Sequence, residues 1–428
     1  MTYILYDILL HIFTVALIPY FFLKMLTARK YREGIPERLG FIKEGKLRGL
    51  LAGRTVWVHA VSVGEAKAVM PVLRLLKKRR PGVKVVFSTV TKTGQATAAQ
   101  DGAGLIDSLI YFPLDLSWAV RKAVRKINPS VFVVVEKEVW PNCFRTLSLG
   151  GVPIAVVNGT ISERSFRRFR RFGFFFRGVF GSVSFFGART RADRDRAVGA
   201  GVSPGNAVTT GNIKFDLSPP SMDKGALEGL KKALGVKEGS PLIVAGSTHA
   251  GEEEAVLGAY RELKGLFPDL RLVIAPRHPE RFSEVESLIK RQGLKCVRRS
   301  KGGGGEEGVL LLDTVGELMM VYSFSTVAVV GGSIAPGIGG HNLLEPAYYG
   351  KPVVYGGRLT TYLEMAGMLE AAGGGLRVED NGLAGALGGL LDDDALRERM
   401  GRNARAVVEQ NRGAAEKSVA VIERYIRG

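Results

Sequence analysis

Short runs rich in β-branched residues recur along this chain, each followed by a small-residue turn or a stretch of helical periodicity. In the first half they are TVWVHAV (55–61), VKVVFSTV (83–90), LIYFPLD (109–115), VFVVVE (131–136) and PIAVVNG (153–159). In the second half they are PLIVAGS (241–247), LRLVIAP (270–276), TVAVVGG (326–332) and KPVVYG (351–356). Helices are expected from Glu65 to Arg80, Glu252 to Phe267 and Phe282 to Gln292. Strands that are apolar throughout must be covered on both faces, and strand–helix alternation achieves this with a parallel sheet. The alternation breaks at GNIKFDLSPPSMDKGAL (211–227), whose prolines and polar residues mark a linker. The chain therefore reads as α/β, with two Rossmann-like domains facing a cleft, 31–212 and 213–405. Residues 1–30 are set apart as a membrane anchor, and 406–428 as a C-terminal helix returning to the N-terminal domain. Ligands of such sheets sit beyond the carboxyl ends of the strands, so functional residues are sought just after each run.

The 428 residues carry a formal net charge of +19. Residues 1–212 hold 33 Lys and Arg against 13 Asp and Glu, and the remainder holds 27 against 28. The basic excess thus belongs to the N-terminal half, as a surface dedicated to an anionic partner requires. Nucleic acid is one such partner, but no aromatic strand of the RNA-binding type and no helix-turn-helix signature accompanies the charge. Cys143 and Cys296 lie far apart without metal-ligand spacing, and are expected to be reduced, buried and inert.

The chain opens on YILYDILLHIFTVALIPYFFLK (3–24). Residues 3–23 are just long enough to cross a bilayer, although Asp7, His11 and Pro19 interrupt them. Lys24, Arg29, Lys30 and Arg32 follow at once, which places the rest of the chain in the cytoplasm. A single-pass or interfacial anchor is expected, with a buried soluble helix as the alternative. A second unusual stretch, SFRRFRRFGFFFRGVFGSVSFF (165–186), mixes cations with bare aromatics. Arginines 164, 167, 168, 170, 171 and 177 suit phosphate oxygens. Phenylalanines 166, 169, 172, 174, 175, 176 and 180 either dip into an acyl boundary or pack in the core.

Candidate chemistry falls after the strands. Glu65 stands where the first strand gives way to a helix, and there it either takes a proton from an alcohol or only complements the helix dipole. Glu136 ends VFVVVE and either enters the cleft or forms a solvated strand end. Gly246, Ser247 and Thr248 are expected to offer backbone N–H groups to a phosphate, without the lysine of a Walker motif. Arg277 and His278 suit a phosphate or a planar base. DTVGELMMVYS contains a glycine-bearing helix start. Further on, Gly339 and Gly340 form a loop, and His341 and Asn342 open a helix that can hold a phosphate. Glu345, on its first turn, can accept from ribose hydroxyls. Four such motifs in one domain point to a nucleotide site. With no metal-spaced His, Cys and Asp cluster and no DxD pair after a strand of that domain, a metal-independent reaction is expected, its leaving phosphate stabilised by cations and helix dipoles.

These motifs, WVHAVSVGE, STVTKTGQ, EKEVWPN, SERS, GNIKFD, GSTHAGEE, PRHPERF, DTVGEL and GGHNLLEPA, occur in the order seen in the 3-deoxy-D-manno-octulosonic acid (Kdo) transferases. The chain resembles that family from about Tyr31 to its C-terminus, with a similar N-terminal anchor. The resemblance implies the GT-B glycosyltransferase fold. It also implies inverting transfer of Kdo from CMP-Kdo to the 6′-hydroxyl of a lipid A precursor, lipid IVA, at the inner membrane, without metal or other cofactor. By the same resemblance Glu65 matches the catalytic base, and Glu136 and Lys214 match positions that stabilise the transition state. Pro276, Arg277, Val315, Gly316, Glu317, Asn342, Leu343, Leu344 and Glu345 match segments that hold CMP. The arginine–phenylalanine stretch would then meet the acceptor or anionic phospholipids. Three departures stand out. Lys137 replaces the usual Thr between the two glutamates, Asn158-Gly159-Thr160 lacks the usual Arg, and the glycine loop before His341 is one residue longer. A GT-B enzyme taking a UDP-sugar and a lipid acceptor is the enzymatic rival.

Overall fold

The computed structural model describes residues 2–27, 33–50, 54–216, 224–237, 239–302, 308–379 and 381–426. Arg29, Lys30, Arg32, part of the expected linker (217–223) and most of the glycine-rich loop (303–307) lie outside the described residues. The chain divides into two compact units, Met1–Asp216 with Arg412–Gly428, and Leu217–Asn411.

Among the described residues the first unit holds a parallel sheet of β1 (Thr55–His59), β2 (Lys84–Thr89), β3 (Ser108–Tyr111), β4 (Val131–Val135), β5 (Ile154–Gly159), β6 (Phe185–Ala188) and β7 (Ala207–Thr209). Their order is β3-β2-β1-β4-β5-β6-β7. The chain builds outward from β1 on one side, then returns to β4 and builds outward on the other. The switch point, where a ligand site forms, lies between β1 and β4. Every residue of β1, β4 and β5 is buried, which is why these runs show no polar alternation. The helix Val63–Arg79 buries Ala66, Val69, Leu73 and Leu76, spaced three or four apart, against one face of the sheet. The C-terminal helix Ala414–Ile422 joins the same core through Ala414, Ala415, Val419 and Ile422. Asp216 fastens it, accepting from the N–H groups of Gly413 at 2.6 Å and Ala415 at 2.7 Å.

The second unit repeats the plan with β8 (Leu242–Thr248), β9 (Arg271–Pro276), β10 (Cys296–Arg298), β11 (Val309–Leu311), β12 (Val327–Val330), β13 (Val353–Gly356) and β14 (Gly375–Val378). These also run parallel, in the order β10-β11-β9-β8-β12-β13-β14, with the switch point between β8 and β12.

The sequence pattern does not announce β6, β7, β10, β11 or β14, which are three or four residues long and lie toward the sheet edges. In β6 the apolar residues belong to the arginine–phenylalanine stretch, which requires a correction. Phe180, Phe185 and Phe186 are core residues, and Phe166, Phe169, Phe175 and Phe176 pack half-buried against that core. Phe172 and Phe174 remain 44 % and 74 % exposed. The arginines at 164, 167, 168, 170, 171 and 177 are all exposed.

Candidate active site

In the first unit the chain leaves β1 through Ala60–Ser62 and enters the helix Val63–Arg79. Ser62 caps the helix, its Oγ accepting from the Glu65 N–H at 3.3 Å. The Glu65 carboxylate folds back and accepts from the Val61 N–H at 2.6 Å, which holds it over the turn above β1. Glu65 is 5 % exposed. Burial pushes its pKa up, the Val61 N–H opposes this, and the charge of Glu136 pushes it up again.

Beyond β4, Glu136 adopts φ of +63°, a left-handed conformation uncommon outside glycine. Its N–H bonds to the Val157 carbonyl at 2.9 Å, and its carboxylate lies 3.8 Å from the Lys214 ammonium. Asn158, fully buried and at φ +57°, donates from Nδ2 to Glu136 at 3.3 Å. The same amide accepts, through Oδ1, the Ile213 N–H at 3.0 Å. One side chain therefore holds both Glu136 and the turn that carries Lys214. Strain of this kind persists only where the surroundings impose it, and it clusters at functional sites. The sequence shows Asn158 only as the first residue of a triplet that lacks the family's Arg, because its bridging role depends on a contact 55 residues away.

Glu138 is the residue that sequence reasoning passed over. Burial, then repulsion from Glu65, pushes its pKa up to about 7, with Lys137 opposing and Glu136 adding. The charge of Glu136 thus acts on both Glu65 and Glu138, which gathers three carboxylates over one switch point.

In the second unit Gly246, Ser247 and Thr248 do not form an open turn. They end β8 with an irregularity, Gly246 opposite Ala275 and Thr248 opposite Pro276, with Ser247 between them at φ +57°. A Cβ on Gly246 would fall 2.0 Å from the Tyr322 hydroxyl, so this glycine is required by close packing. Pro276 ends β9, and the exposed Arg277 is anchored by its N–H to the Thr248 carbonyl at 3.0 Å. His249 follows β8 directly. Its Nε2 lies 2.8 Å from the Nε2 of His341, the two rings stack with centroids 5.1 Å apart, and His278 meets His249 edge-on at 5.3 Å. Burial, then repulsion from His249, Arg277 and His278, pulls the His341 pKa down to about 4. Burial also lowers that of His249. Two nitrogens this close share one proton, and the lowered pKa values favour the neutral form of both rings.

The loop after β12 is held from below by Glu252. This fully buried carboxylate accepts from the N–H groups of Gly332 and Ile334 at 2.8 and 2.9 Å, and from that of His249 at 3.0 Å. The helix that follows, Leu344–Tyr348, is a single turn, and His341 and Asn342 precede it rather than open it. Asn342 accepts the Leu344 N–H at 3.2 Å and donates to Glu345 at 3.3 Å. Leu343 and Leu344 are fully buried, so their side chains belong to the core and only their backbone can serve a ligand. Val315 is 70 % exposed, Gly316 takes φ of +96°, and Glu317 accepts from Arg299 at 3.0 Å and from the Thr314 hydroxyl.

Among the described residues no group of three or more His, Cys, Asp or Glu is arranged to hold a metal ion. A cavity lined by Lys231, Lys232, Lys351 and Arg397 also touches Ser240, Thr326 and Pro352, which precede β8, β12 and β13. It therefore lies at the amino ends of the strands, the wrong edge for the ligand of such a sheet.

Comparison with known proteins fits this arrangement. Residues 33–217 match the family model described as 3-deoxy-D-manno-octulosonic-acid transferase (kdotransferase). The chain is 32 % identical over 403 residues to the 3-deoxy-D-manno-octulosonic acid transferase of Haemophilus influenzae, covering 93 % of this chain and 92 % of that one. It is 34 % identical over 386 residues to the enzyme of the same name from Bordetella pertussis, covering 87 % of each. Among solved structures, a glycosyltransferase from Rickettsia africae superimposes with a TM-score of 0.57 at 14 % identity, covering 87 % of this chain and 99 % of that one, which supports the fold alone. With two Rossmann-like units of GT-B type and this identity over nearly its whole length, the chain belongs to the 3-deoxy-D-manno-octulosonic acid transferase family.

Proposed function

We propose that this protein transfers Kdo from CMP-Kdo to the 6′-hydroxyl of lipid IVA, with inversion and without a metal ion. The observation that carries the reading is Glu65, a buried carboxyl of raised pKa at the first unit's switch point, in a chain of this family. Glu65 accepts the proton of the acceptor hydroxyl as its oxygen attacks the anomeric carbon of Kdo. The bond from that carbon to the CMP phosphate breaks, and its electron pair leaves on the phosphate. One displacement from the opposite face inverts the centre. A positioned general base of this kind contributes roughly 10²–10⁴-fold to rate. Lys214, held against Glu136, balances charge near the reacting carbon, while Arg277 and the segments at 315–317 and 342–345 hold CMP.

The lipid acceptor dictates the remaining surfaces. The apolar N-terminal helix anchors the protein to the cytoplasmic face of the inner membrane, and the exposed arginines at 164–177, with Phe172 and Phe174, meet lipid phosphates and acyl chains. The deciding experiment is incubation with CMP-Kdo and lipid IVA, followed by mass spectrometry of the lipid. A mass increase of one or more Kdo residues is expected. An unmodified lipid, together with thermal protection of the protein by UDP but not by CMP, would sink the proposal. Serine at the six arginines is expected to weaken binding of the protein lacking its anchor to anionic vesicles.

A further inference from the structure

The C-terminal half of the chain has no excess of positive charge, since residues 213–428 hold 27 Lys and Arg against 28 Asp and Glu. A group of its cations is nevertheless gathered at one edge of the second sheet. The cavity at the amino ends of the strands, about 650 Å³ in volume, is lined by Lys231, Lys232, Lys237, Lys351 and Arg397 against Glu228 and Glu398. A second cavity of about 460 Å³ shares Lys237 and Ser240 with it, and adds Lys264 and Arg271 against Asp269. The two adjoin as one groove, with seven cations and three carboxylates among its described residues.

In the larger cavity both carboxylates already have partners. Glu228 pairs with Lys231 at 2.9 Å on the same helix, and Glu398 lies 3.5 Å from Arg402. Arg397 is fixed in the wall, donating to the carbonyls of Leu390 and Leu391 at 2.8 and 3.2 Å and pairing with Asp394. Lys351 is different. It stands two residues before β13, half-buried, and no carboxylate among the described residues pairs with it. Burial, then repulsion from Lys231, holds its pKa below the ordinary lysine value. An ammonium kept from water, beside a second ammonium and without an acid, costs free energy, and such groups concentrate at functional sites. The turn that carries it is also firmly placed. A Cβ on Gly401 would fall 2.1 Å from the Gly350 carbonyl oxygen, so the helix Asp394–Gln410 is pressed directly on that turn.

We propose that this groove binds a small molecule carrying two or more phosphate groups, at a site separate from the one that holds CMP. Lys351 and Lys231 take the innermost phosphate, and Lys237, common to both cavities, reaches the next. A single phosphate would leave the outer cations unanswered. β8 runs from Leu242 to Thr248, about 20 Å end to end, and Arg277 is anchored at its far end. An occupant of the groove therefore does not compete with the nucleotide.

The probe is inorganic tripolyphosphate, titrated by calorimetry into the full chain in detergent at physiological salt, with excess CMP filling the donor site. Binding of one tripolyphosphate per chain is expected, tighter than that of orthophosphate. Lys351→Met should weaken it about tenfold or more. The same substitution should raise the melting temperature of the anion-free protein, because it removes an unpaired, half-buried charge. Lys232→Gln, at an exposed position, should weaken binding as well and serves where Lys351→Met does not fold. Absence of binding, or equal affinity in the wild-type protein and the variants, would overturn the proposal. Loss of tripolyphosphate binding on addition of CMP would assign the anion to the donor site and overturn it too.

Discussion

At the scale of single residues, the chemistry turns on where carboxylates and imidazoles are kept. Glu65 is a better base than a surface glutamate because burial and Glu136 both disfavour its charge. As a base it must be deprotonated, so kcat/KM should rise as pH rises through a midpoint above the ordinary Glu value of about 4.3. Glu136→Gln removes a charge that raises this pKa, so the midpoint should move to lower pH even as the maximal rate falls. A pH–rate profile of both proteins checks this, and an unmoved midpoint would remove Glu136 from contact with the base. Glu65→Gln should lower kcat by about 10²-fold or more with little change in the KM for CMP-Kdo. In the second unit, the neutral His249–His341 pair should take up a proton when the anionic donor binds, because the anion favours the charged imidazole. Donor affinity should therefore strengthen as pH falls. His341→Gln should flatten that dependence, as measured by calorimetry in buffers of different ionisation enthalpy.

At the scale of elements, legibility follows burial. Central strands such as β1, β4, β8 and β9 are buried along almost their whole length, and their runs of apolar residues stand out in the sequence. Edge strands of three or four residues bury less and carry no such signal, as β7 and β10 show. The segment Ser165–Phe186 reads as a lipid-facing surface in one dimension, yet it contributes the core residues Phe180, Phe185 and Phe186. Its helical spacing sorts arginines to water and most phenylalanines to the protein, a division that composition cannot show. The first helix, Thr2–Thr27, meets the unit below it where the Tyr6 hydroxyl donates to Asp115 at 3.0 Å, and this contact has a measurable signature. Burial pushes the Asp115 carboxyl up to about 7, whereas an unfolded Asp titrates near 3.9. Between those values the folded state binds more protons, so stability contributed by this group is present at acid pH and is lost as pH rises toward 7. Asp115→Asn should remove that slope from urea unfolding curves recorded between pH 5 and about 7.5. A slope unchanged by the substitution would mean that Asp115 is charged in the folded protein.

At the scale of the whole molecule, each unit is closed by residues distant in sequence. The first unit completes its helical layer only when the chain returns at Arg412, and Asp216 receives it through two backbone N–H groups. Truncation after Asn411 should therefore expose the apolar face around Val69 and Ile213 and render the protein insoluble. Asp216→Ala should cost about 1.5–3 kcal/mol of stability by leaving those N–H groups without a charged acceptor. Chemical denaturation monitored by the fluorescence of Trp57, in the first unit's core, would report this loss. By itself the sequence established the α/β class, two sheets, the positions of Glu65, Glu136 and Arg277 after their strands, and the family. These follow from short-range patterns, because strand burial and the strand-to-helix turn are local. Tertiary structure alone decided that Asn158 bridges Glu136 to the Lys214 turn, that two histidines 92 residues apart stack, and that the first helix is bonded back onto its own unit. Each of these is a contact between segments far apart in the chain, and such contacts leave no periodicity for the sequence to display.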